Sequence, residues 1–305
     1  MTIRLVRFVL AAALAAATLP AAAQSAAALP SPQAGSREFL WEVSSFTNKV
    51  YLYGTVHAGK AGFYPLPDSV EKAFADSKVL AVEADITDAA AMRKGSSSMT
   101  YVAPDSLSKH LPAPLHARLR QQLQRFDVPE EQVEPVKPFF VASLLVFNEW
   151  FRQGYSPNYG VDVHLITRAK KAKMPLVELE GAQAQSDLMA GLSEKEGLQA
   201  LDGAVTALES GLTRDQITGV VNAWQAGDPA LMLEVTRAYN ESVPGAKELE
   251  EKFIWSRHEA MANKIENFLF SGRDRVFVAV GALHLAGPRG LVEILRRRGH
   301  SVRQL

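Results

Sequence analysis

VYLYGTVHAGKAGFYPLPDSVEKAFADSKVLAVE, residues 50–83, is the stretch that decides the fold. It has the pattern of a strand, a glycine break, a histidine, a helix and a second strand. A β-prone run ends at Gly54, and His57 follows three residues later. Apolar residues recur at helical spacing over residues 67–77, and Glu83 ends the next apolar run. Because the carboxyl ends of parallel strands meet in one crevice, we expect His57 and Glu83 to face each other.

The same order of elements returns near the C-terminus. Residues 275–280 (RVFVAV) are typical of a buried strand, and Gly281 and His284 repeat the Gly-x-x-His spacing. A helical pattern over residues 290–298 and a β-prone run at 301–305 follow. Two such units, each behind a strand and before a helix, indicate that each supplies half of one site. They predict an α/β fold with a mostly parallel central sheet.

The N-terminus has the pattern of a secretory signal peptide over residues 1–23. Arg4 and Arg7 form a basic start, and an apolar run and small residues suited to cleavage follow. An uncleaved anchor is the alternative, but the run is short and alanine-rich, which favours cleavage. Residues 24–36 are rich in Ala, Pro and Ser and predict a flexible leader. We therefore expect a periplasmic or secreted protein with no transmembrane segment after signal removal.

Composition and missing motifs exclude several classes of function. The chain has no cysteine, which rules out disulfides, thiol nucleophiles and cysteine-ligated metals. Its 33 basic and 33 acidic residues balance without a basic stripe, so nucleic-acid binding is not expected. The sequence contains no Gly-x-Ser-x-Gly elbow, no His-Glu-x-x-His helix and no phosphate-binding glycine loop. These absences argue against serine hydrolases, common zinc peptidases and nucleotide-binding enzymes.

The segment between the two Gly-x-x-His units is mostly helical in pattern. Residues 94–110 are polar and predict a loop, and the helical insertion runs from about 112 to 242. A short strand at 175–179 interrupts it, closed by Glu180. We expect the insertion to cap the strand ends within one domain, residues 37–305. Helices are predicted at residues 115–126, 139–151, 159–173, 185–201, 215–225 and 228–239.

One long amphipathic helix is predicted over residues 247–270. Arg257 and His258 both lie three or four residues from apolar positions, so both project from the apolar face. A buried arginine requires an anionic partner, because removing an unpaired charge from water is costly. Arg257 is therefore expected to point at a carboxylate or at an anionic group of a ligand.

Several short motifs of this chain occur in a recognisable order: Gly54-Thr55-Val56-His57, Tyr64 to Pro67, Glu83, Tyr159-Gly160-x-Asp162, Leu179-Glu180 with Gln185, Arg257, and Gly281-x-x-His284-Leu285-x-Gly287. The pattern resembles the TraB/GumN family, which is related to the Tiki metalloproteases and more remotely to erythromycin-esterase-like proteins. The resemblance implies an α/β fold with two Gly-x-x-His motifs around a glutamate, and metal-dependent hydrolysis for the Tiki branch. It implies little about the GumN-like branch. The family often has asparagine after the arginine, where this chain has His258.

The residue types themselves point to metal chemistry. Two neutral imidazoles and a carboxylate are a common ligand set for a divalent ion with open positions. We therefore predict that His57, His284 and Glu83 bind Mn, Co or Zn, which would activate water near neutral pH. Alternatively, Glu83 stays off the metal and acts as general base, and sequence does not separate these roles. Arg257 is the candidate for neutralising an oxyanion or binding a substrate carboxylate.

Each candidate also has a structural alternative. His57 and His284 would each fit a satisfied turn histidine, and Glu83 would fit a helix cap. Arg257 and Glu180 would fit a buried ion pair, and Asp162 an early-turn helix residue. The remaining histidines lack a comparable setting and are expected at the surface or in packing: His110, His116, His164 and His300. The second-rank candidates for binding substrate or orienting the histidines are Tyr159, Asp162, Glu180 and His258.

Two functions from different classes follow. The first is an exported metal-dependent hydrolase, with peptidases among the enzymes of this class, acting on a peptide or a small molecule. The second is a non-catalytic periplasmic binding or accessory protein that uses the same cleft for a peptide, a metal chelate or a polysaccharide-related ligand. Turnover that depends on metal and on both histidines distinguishes the first from the second.

Overall fold

A computed structural model describes residues 37–46, 48–90, 96–271 and 274–305. The predicted signal peptide (1–23) and leader (24–36) lie outside the described residues. Six strands of the described chain form one sheet in the order β4-β3-β5-β2-β1-β6. Their bounds are β1 Leu40–Ser44, β2 Lys49–Thr55, β3 Val79–Val82, β4 Leu176–Glu178, β5 Val276–Gly281 and β6 Ser301–Gln304.

The sheet is mixed but mostly parallel, as expected from the sequence. Strands β4, β3, β5 and β2 run parallel to one another, whereas β1 is antiparallel to both β2 and β6. Strand β5 is the last parallel strand in sequence, yet it inserts between β2 and β3. The segments that follow these three strands therefore lie side by side at one edge of the sheet.

Apolar side chains explain why the central strands form where they do. Residues 276–280 of β5 and residues 50–55 of β2 are buried throughout, as is typical of strands covered on both faces. The two strands pair in register, with Thr55 opposite Gly281. Each strand then stops at its Gly-x-x-His unit, so the two units begin at neighbouring positions.

Helices pack against the sheet and also make up most of the insertion. The helix after β2 buries Val70, Ala73 and Phe74, and the Phe74 ring lies 5.4 Å from that of Phe277 in β5. The helices are α1 Asp68–Asp76, α2 Ala113–Arg125, α3 Glu130–Val133, α4 Pro138–Arg152, α5 Val161–Lys171, α6 Ala182–Ala190, α7 Glu194–Ser210, α8 Leu212–Gln225, α9 Pro229–Ser242, α10 Ala246–Phe253, α11 His258–Ser271 and α12 Leu291–Arg297.

The helical insertion has a hydrophobic cluster of its own. Helices α2, α4 and α7 pack around buried residues that include Leu119, Leu145 and Leu201. A hydrogen bond connects the insertion to the sheet: the buried Trp224 of α8 donates its indole N–H to the Gly54 carbonyl at 2.8 Å. The insertion is thus anchored directly at the first Gly-x-x-His unit.

The prediction of one helix over residues 247–270 is wrong. Helix α10 ends at Phe253, a 3₁₀ turn covers Trp255–Arg257, and α11 starts at His258. The backbone departs from the helical conformation at Ile254, where φ is −118° and ψ is −70°. The Arg257 guanidinium donates to the Phe253 carbonyl at 2.5 Å, and this bond satisfies a group that the break leaves free. Apolar spacing continues across the break, so periodicity alone does not reveal it.

The prediction of one helix over residues 185–201 is also wrong. Helix α6 ends at Ala190, and α7 begins after Ser193, which forms a reciprocal capping box with Glu196. The Ser-x-x-Glu signal is present in the sequence, and it marks a helix start within the apolar pattern. The consequence is that α6 is a separate short helix that contributes to the pocket described below.

Within the part of the chain that the structure describes, no helix combines the length and the apolar content that a bilayer crossing requires.

Candidate functional site

Three of the predicted site residues meet at the carboxyl edge of the sheet. His57 follows β2, Glu83 follows β3 and His284 follows β5, the strand between them. Gly281 lies at the centre of this group. A Cβ atom there would lie 3.4 Å from Glu83 Oε1, 3.5 Å from His284 Cδ2 and 3.6 Å from His57 Nε2. The missing side chain of Gly281 thus leaves a small cradle bounded by all three residues.

His57 is oriented by a buried carboxylate. Its Nδ1 lies 2.8 Å from Asp162 Oδ2, and the Thr55 hydroxyl donates to the other oxygen of Asp162. A carboxylate only accepts, so Nδ1 carries the proton and a neutral His57 presents Nε2 as a lone pair. Asp162 also raises the pKa of His57 to about 9. The imidazole lies at the mouth of the site, with 63% of its side chain exposed.

The Tyr159-Gly160-x-Asp162 motif explains how the carboxylate reaches His57. A Cβ on Gly160 would lie 2.5 Å from the His57 carbonyl oxygen, so glycine permits close backbone approach. The Val161 amide then donates to the Val56 carbonyl at 2.9 Å, which fixes the start of α5 beside the first histidine. Tyr159 itself is 45% exposed and accepts, through its carbonyl, the Tyr64 hydroxyl at 2.8 Å.

His284 is oriented by another histidine. Its Nδ1 lies 2.8 Å from His258 Nε2, and His258 Nδ1 lies 2.6 Å from the Arg289 carbonyl oxygen. Both histidines are buried, at 3% and 1% exposure. Burial lowers the pKa of His258 to about 4, which keeps that imidazole neutral. His284 Nε2 faces Glu83 Oε2 at 3.5 Å.

Glu83 is held by donors on both carboxylate oxygens. Oε1 accepts the Gly281 amide at 2.8 Å, while Oε2 accepts Arg257 at 2.6 Å and Gln185 at 3.3 Å. Burial opposes the charge of the carboxylate, but His284, Arg257 and His57 lower the pKa of Glu83 well below its usual range. Glu83 is therefore an ionised, fixed carboxylate at neutral pH.

Arg257 ties two glutamates together. Its Nε donates to Glu180 Oε1 at 2.8 Å, and its Nη2 donates to both Glu83 and Glu180. All three side chains are largely buried, with 12–13% of their surfaces exposed. The anionic partner expected for Arg257 is thus a pair of protein carboxylates. Most of its donors are already engaged, which leaves little capacity to bind a substrate carboxylate.

A pocket of about 190 Å³ opens beside these residues. Its apolar lining includes Leu188 and Met189 of α6 and Phe253 at the end of α10. Its polar lining is formed by His57, Glu83, Asp162, Gln185 and Arg257.

Sequence reasoning did not single out every residue that shapes the site. Thr55 and Gly281 belong to the Gly-x-x-His units, but the apolar spacing of the sequence gave no reason to predict a contact for either residue. Gln185 is among the ordered motifs of the sequence but was assigned no role there; from the start of α6 it donates to Glu83 Oε2 at 3.3 Å. Of the other histidines, His116 lies in a group that was not foreseen. Within the described ranges, one trio of histidine and carboxylate side chains has donor atoms all within 4.8 Å of one another: His116, Glu130 and Glu134.

Fold and site together define an α/β protein with a two-histidine, one-glutamate pocket at the carboxyl edge of a mostly parallel sheet. The sequence model of the TraB/PrgY/gumN family matches residues 39–304, and the chain belongs to this family. The resemblance seen in the sequence motifs is confirmed. No solved structure matches the chain.

Similar proteins fall into two groups. An uncharacterised protein, YbaP of Escherichia coli (strain K12), is 25% identical over 81% of this chain and 87% of its own length. Metalloprotease TIKI2 of Xenopus tropicalis is 23% identical over 90% of this chain and 61% of its own. Metalloprotease TIKI1 of Homo sapiens is 21% identical over 88% and 62%. The chain therefore spans somewhat less than two thirds of these metalloproteases.

Proposed function

We propose that the protein is a metal-dependent hydrolase whose ion is held by His57, His284 and Glu83. One observation carries the proposal. Both histidines have Nδ1 engaged by an oriented partner, and the cradle at Gly281 lies beside His57 Nε2, the His284 ring and an ionised carboxylate. Metal-ligating histidines usually bond their second nitrogen in this way. The similarity to proteins named metalloproteases supports the same class.

The donor set fits a divalent ion in chemistry, and its donor atoms would have to draw together around a bound ion. Imidazole and carboxylate together suit zinc, manganese or cobalt. Among the described residues the trio with donors all within 4.8 Å is His116, Glu130 and Glu134, so the donors of His57, His284 and Glu83 do not all lie within that distance. In that compact trio Glu130 is already paired with Arg120 at 2.9 Å and with His116 at 2.6 Å. Glu83 also has a cationic partner, Arg257, so pairing does not separate the two clusters; the engaged Nδ1 atoms of His57 and His284 favour the first.

The roles of the chain's own residues follow from their surroundings. A bound ion would supply Lewis-acid polarisation of the scissile bond and a lowered pKa of water. Glu83 contributes a permanent negative charge. Its low pKa makes it a weak proton acceptor, so it suits the ligand role better than that of general base. Arg257, itself bound by Glu180, holds that carboxylate in place.

The pocket wall bears on the substrate. Leu188, Met189 and Phe253 add apolar surface to a pocket with polar groups, which suits a peptide or small molecule with an apolar group beside the bond to be cleaved. We infer a peptide because similar proteins are named proteases. The alternative is a binding protein that holds such a ligand without turnover.

The test is a metal-loading assay on the purified protein. Zinc, cobalt and manganese are added separately, and peptides and esters are screened for cleavage. We expect turnover that disappears in His57→Ala and His284→Ala but persists in His116→Ala, which removes the other histidine-carboxylate trio. Metal uptake without cleavage of any substrate supports the binding alternative. Equal metal uptake by all three variants and the wild type contradicts the assignment of the site.

We also propose that the protein is exported, because residues 1–23 have the pattern of a signal peptide. Cell fractionation with N-terminal sequencing tests this proposal. A periplasmic or secreted product that begins near residue 24 is the expected result, and a cytoplasmic product that retains residue 1 contradicts it.

A further inference from the structure

His258 is in an unusual position for a residue outside the predicted ligand set. It is the first residue of α11, directly after the break in the helical chain, and it is 1% exposed. Its ring lies 5.1 Å from that of His284, and each of its nitrogens is within 2.8 Å of a single partner. Arg257, the preceding residue, points instead to Glu83 and Glu180. The 3₁₀ turn therefore directs two consecutive side chains to two different parts of the site.

The hydrogen-bond partners determine where the protons are. The Arg289 carbonyl can only accept, so His258 Nδ1 must donate to it. A neutral imidazole with a proton on Nδ1 has a lone pair on Nε2. That lone pair accepts a hydrogen bond from His284 Nδ1–H across 2.8 Å. With its Nδ1 proton fixed in this bond, His284 directs Nε2 toward Glu83, and Nε2 is the nitrogen that can bind a metal once it carries no proton.

The opposite proton order is excluded by the surroundings of His258. Reversing the bond would require a second proton on His258, and hence a cation in a side chain that is 1% exposed and faces a carbonyl and another imidazole. A buried cation without an anionic partner is costly. The bond would also place the remaining proton of His284 on Nε2, where it blocks coordination.

We propose that His258 is the positioning residue of the second histidine: through the Arg289 carbonyl it fixes His284 in the tautomer that presents Nε2 to the site. Its consequence for metal binding rests on the function proposed above, but the tautomer itself does not. The two histidines are then positioned by different chemistry. His57 is held by the carboxylate of Asp162, whereas His284 is held by a neutral imidazole that adds no charge.

The first experiment reads the tautomer directly. Protein labelled with ¹⁵N at histidine is prepared without metal, and the side-chain nitrogens of His284 are assigned by NMR. We expect a proton fixed on Nδ1 of His284 in the wild type, and loss of that fixed position in His258→Leu. His258→Gln should restore it, because the glutamine amide oxygen reaches the Nε2 position and accepts the same hydrogen bond. A wild-type His284 without a proton on Nδ1 overturns the proposal.

The second experiment measures affinity for zinc by competition with a chelator. Loss of a residue that orients a metal ligand usually weakens binding about 10- to 100-fold, so this is the expected effect of His258→Leu. His258→Gln should remain within a few-fold of wild type. The matched control is His300→Leu, which removes another buried histidine, one whose Nε2 bonds Glu266 at 2.8 Å. It should leave zinc affinity unchanged.

The outcomes separate the two proposals. If the wild type binds no zinc yet shows the Nδ1-protonated tautomer and loses it in His258→Leu, the positioning role stands and the proposed function fails. If zinc binds but both readouts are unchanged in His258→Leu, the positioning role fails and the proposed function stands. Should His258→Leu not fold, the wild-type tautomer and the glutamine variant still decide.

Discussion

Substitution of Gly281 by alanine is the sharpest test of the site, because the structure predicts its effect on binding and on stability separately. The new methyl would lie 3.4 Å from Glu83 Oε1, 3.5 Å from His284 Cδ2 and 3.6 Å from His57 Nε2, which are ordinary van der Waals distances. The backbone at Gly281 has φ −50° and ψ 136°, a conformation that any L residue adopts. The fold should therefore accept the change, and reduced freedom of the unfolded chain should add about 0.4–1 kcal/mol of stability.

Metal binding by the Gly281→Ala protein should nevertheless weaken. An ion coordinated by these residues sits about 2.0–2.2 Å from each donor atom, within the space that the methyl group fills. Forcing a methyl group into an already occupied space costs about 1–3 kcal/mol, which corresponds to about a 5- to 150-fold loss of affinity. Chelator competition with zinc measures the affinity, and chemical denaturation without metal measures the stability.

The other Gly-x-x-His unit provides the matched control. A Cβ on Gly54 would lie 2.4 Å from Phe39 Cδ1 and 3.0 Å from the Ala282 Cα, so Gly54→Ala should destabilise the fold through overpacking, by about 1–3 kcal/mol. The same substitution at equivalent positions is thus expected to affect binding in one unit and stability in the other. Wild-type zinc affinity in a stable Gly281→Ala protein would refute the placement of the ion in this cradle.

Three further predictions concern charge. Arg257→Met leaves Glu83 and Glu180 buried together without their cation, and should cost about 3–5 kcal/mol of unfolding free energy by chemical denaturation; a loss below about 1 kcal/mol would contradict the role of Arg257 as their shared partner. Asp162 raises the folded-state pKa of His57 to about 9. The stabilisation of metal-free protein by this ion pair is therefore fully present below about pH 6.5 and is lost as pH rises through 9. Chemical denaturation should show a lower free energy of unfolding at about pH 9.5 than at about pH 6, and Asp162→Asn should lack this difference. With its pKa raised to about 9, His57 should lose about one proton when a metal binds at pH 7. Calorimetry in buffers of different ionisation enthalpy measures this release, and zero protons would contradict coordination by an imidazole with that raised pKa.

Local sequence pattern predicted the elements that carry the site. Apolar runs that end in Gly-x-x-His marked β2 and β5, and each histidine follows the strand from which it was expected to project. Glu83 could be placed at the end of β3 for the same reason. These predictions succeed because a strand buried on both faces must be continuously apolar, and such a run is readable without its neighbours.

The break before His258 was not predictable from the same kind of pattern. Apolar residues keep helical spacing through Phe253 and Met261, so the sequence favours a continuous helix. Contacts with distant residues stabilise the break: Arg257 donates to Glu83 and Glu180, and His258 contacts His284. Helical periodicity reports only which face is buried, and it carries no information about partners on other elements.

The residue types, their positions at strand ends and the need of Arg257 for an anionic partner were all determined by the sequence itself. Only the tertiary structure decided which partners each would have. Strand β5, last of the parallel strands in the chain, lies between β2 and β3 and so places His284 between His57 and Glu83. The order of the strands depends on long-range packing, and the apolar sequences of the strands are too similar to specify it. The residue types at each strand end, in contrast, can be read from a few consecutive residues.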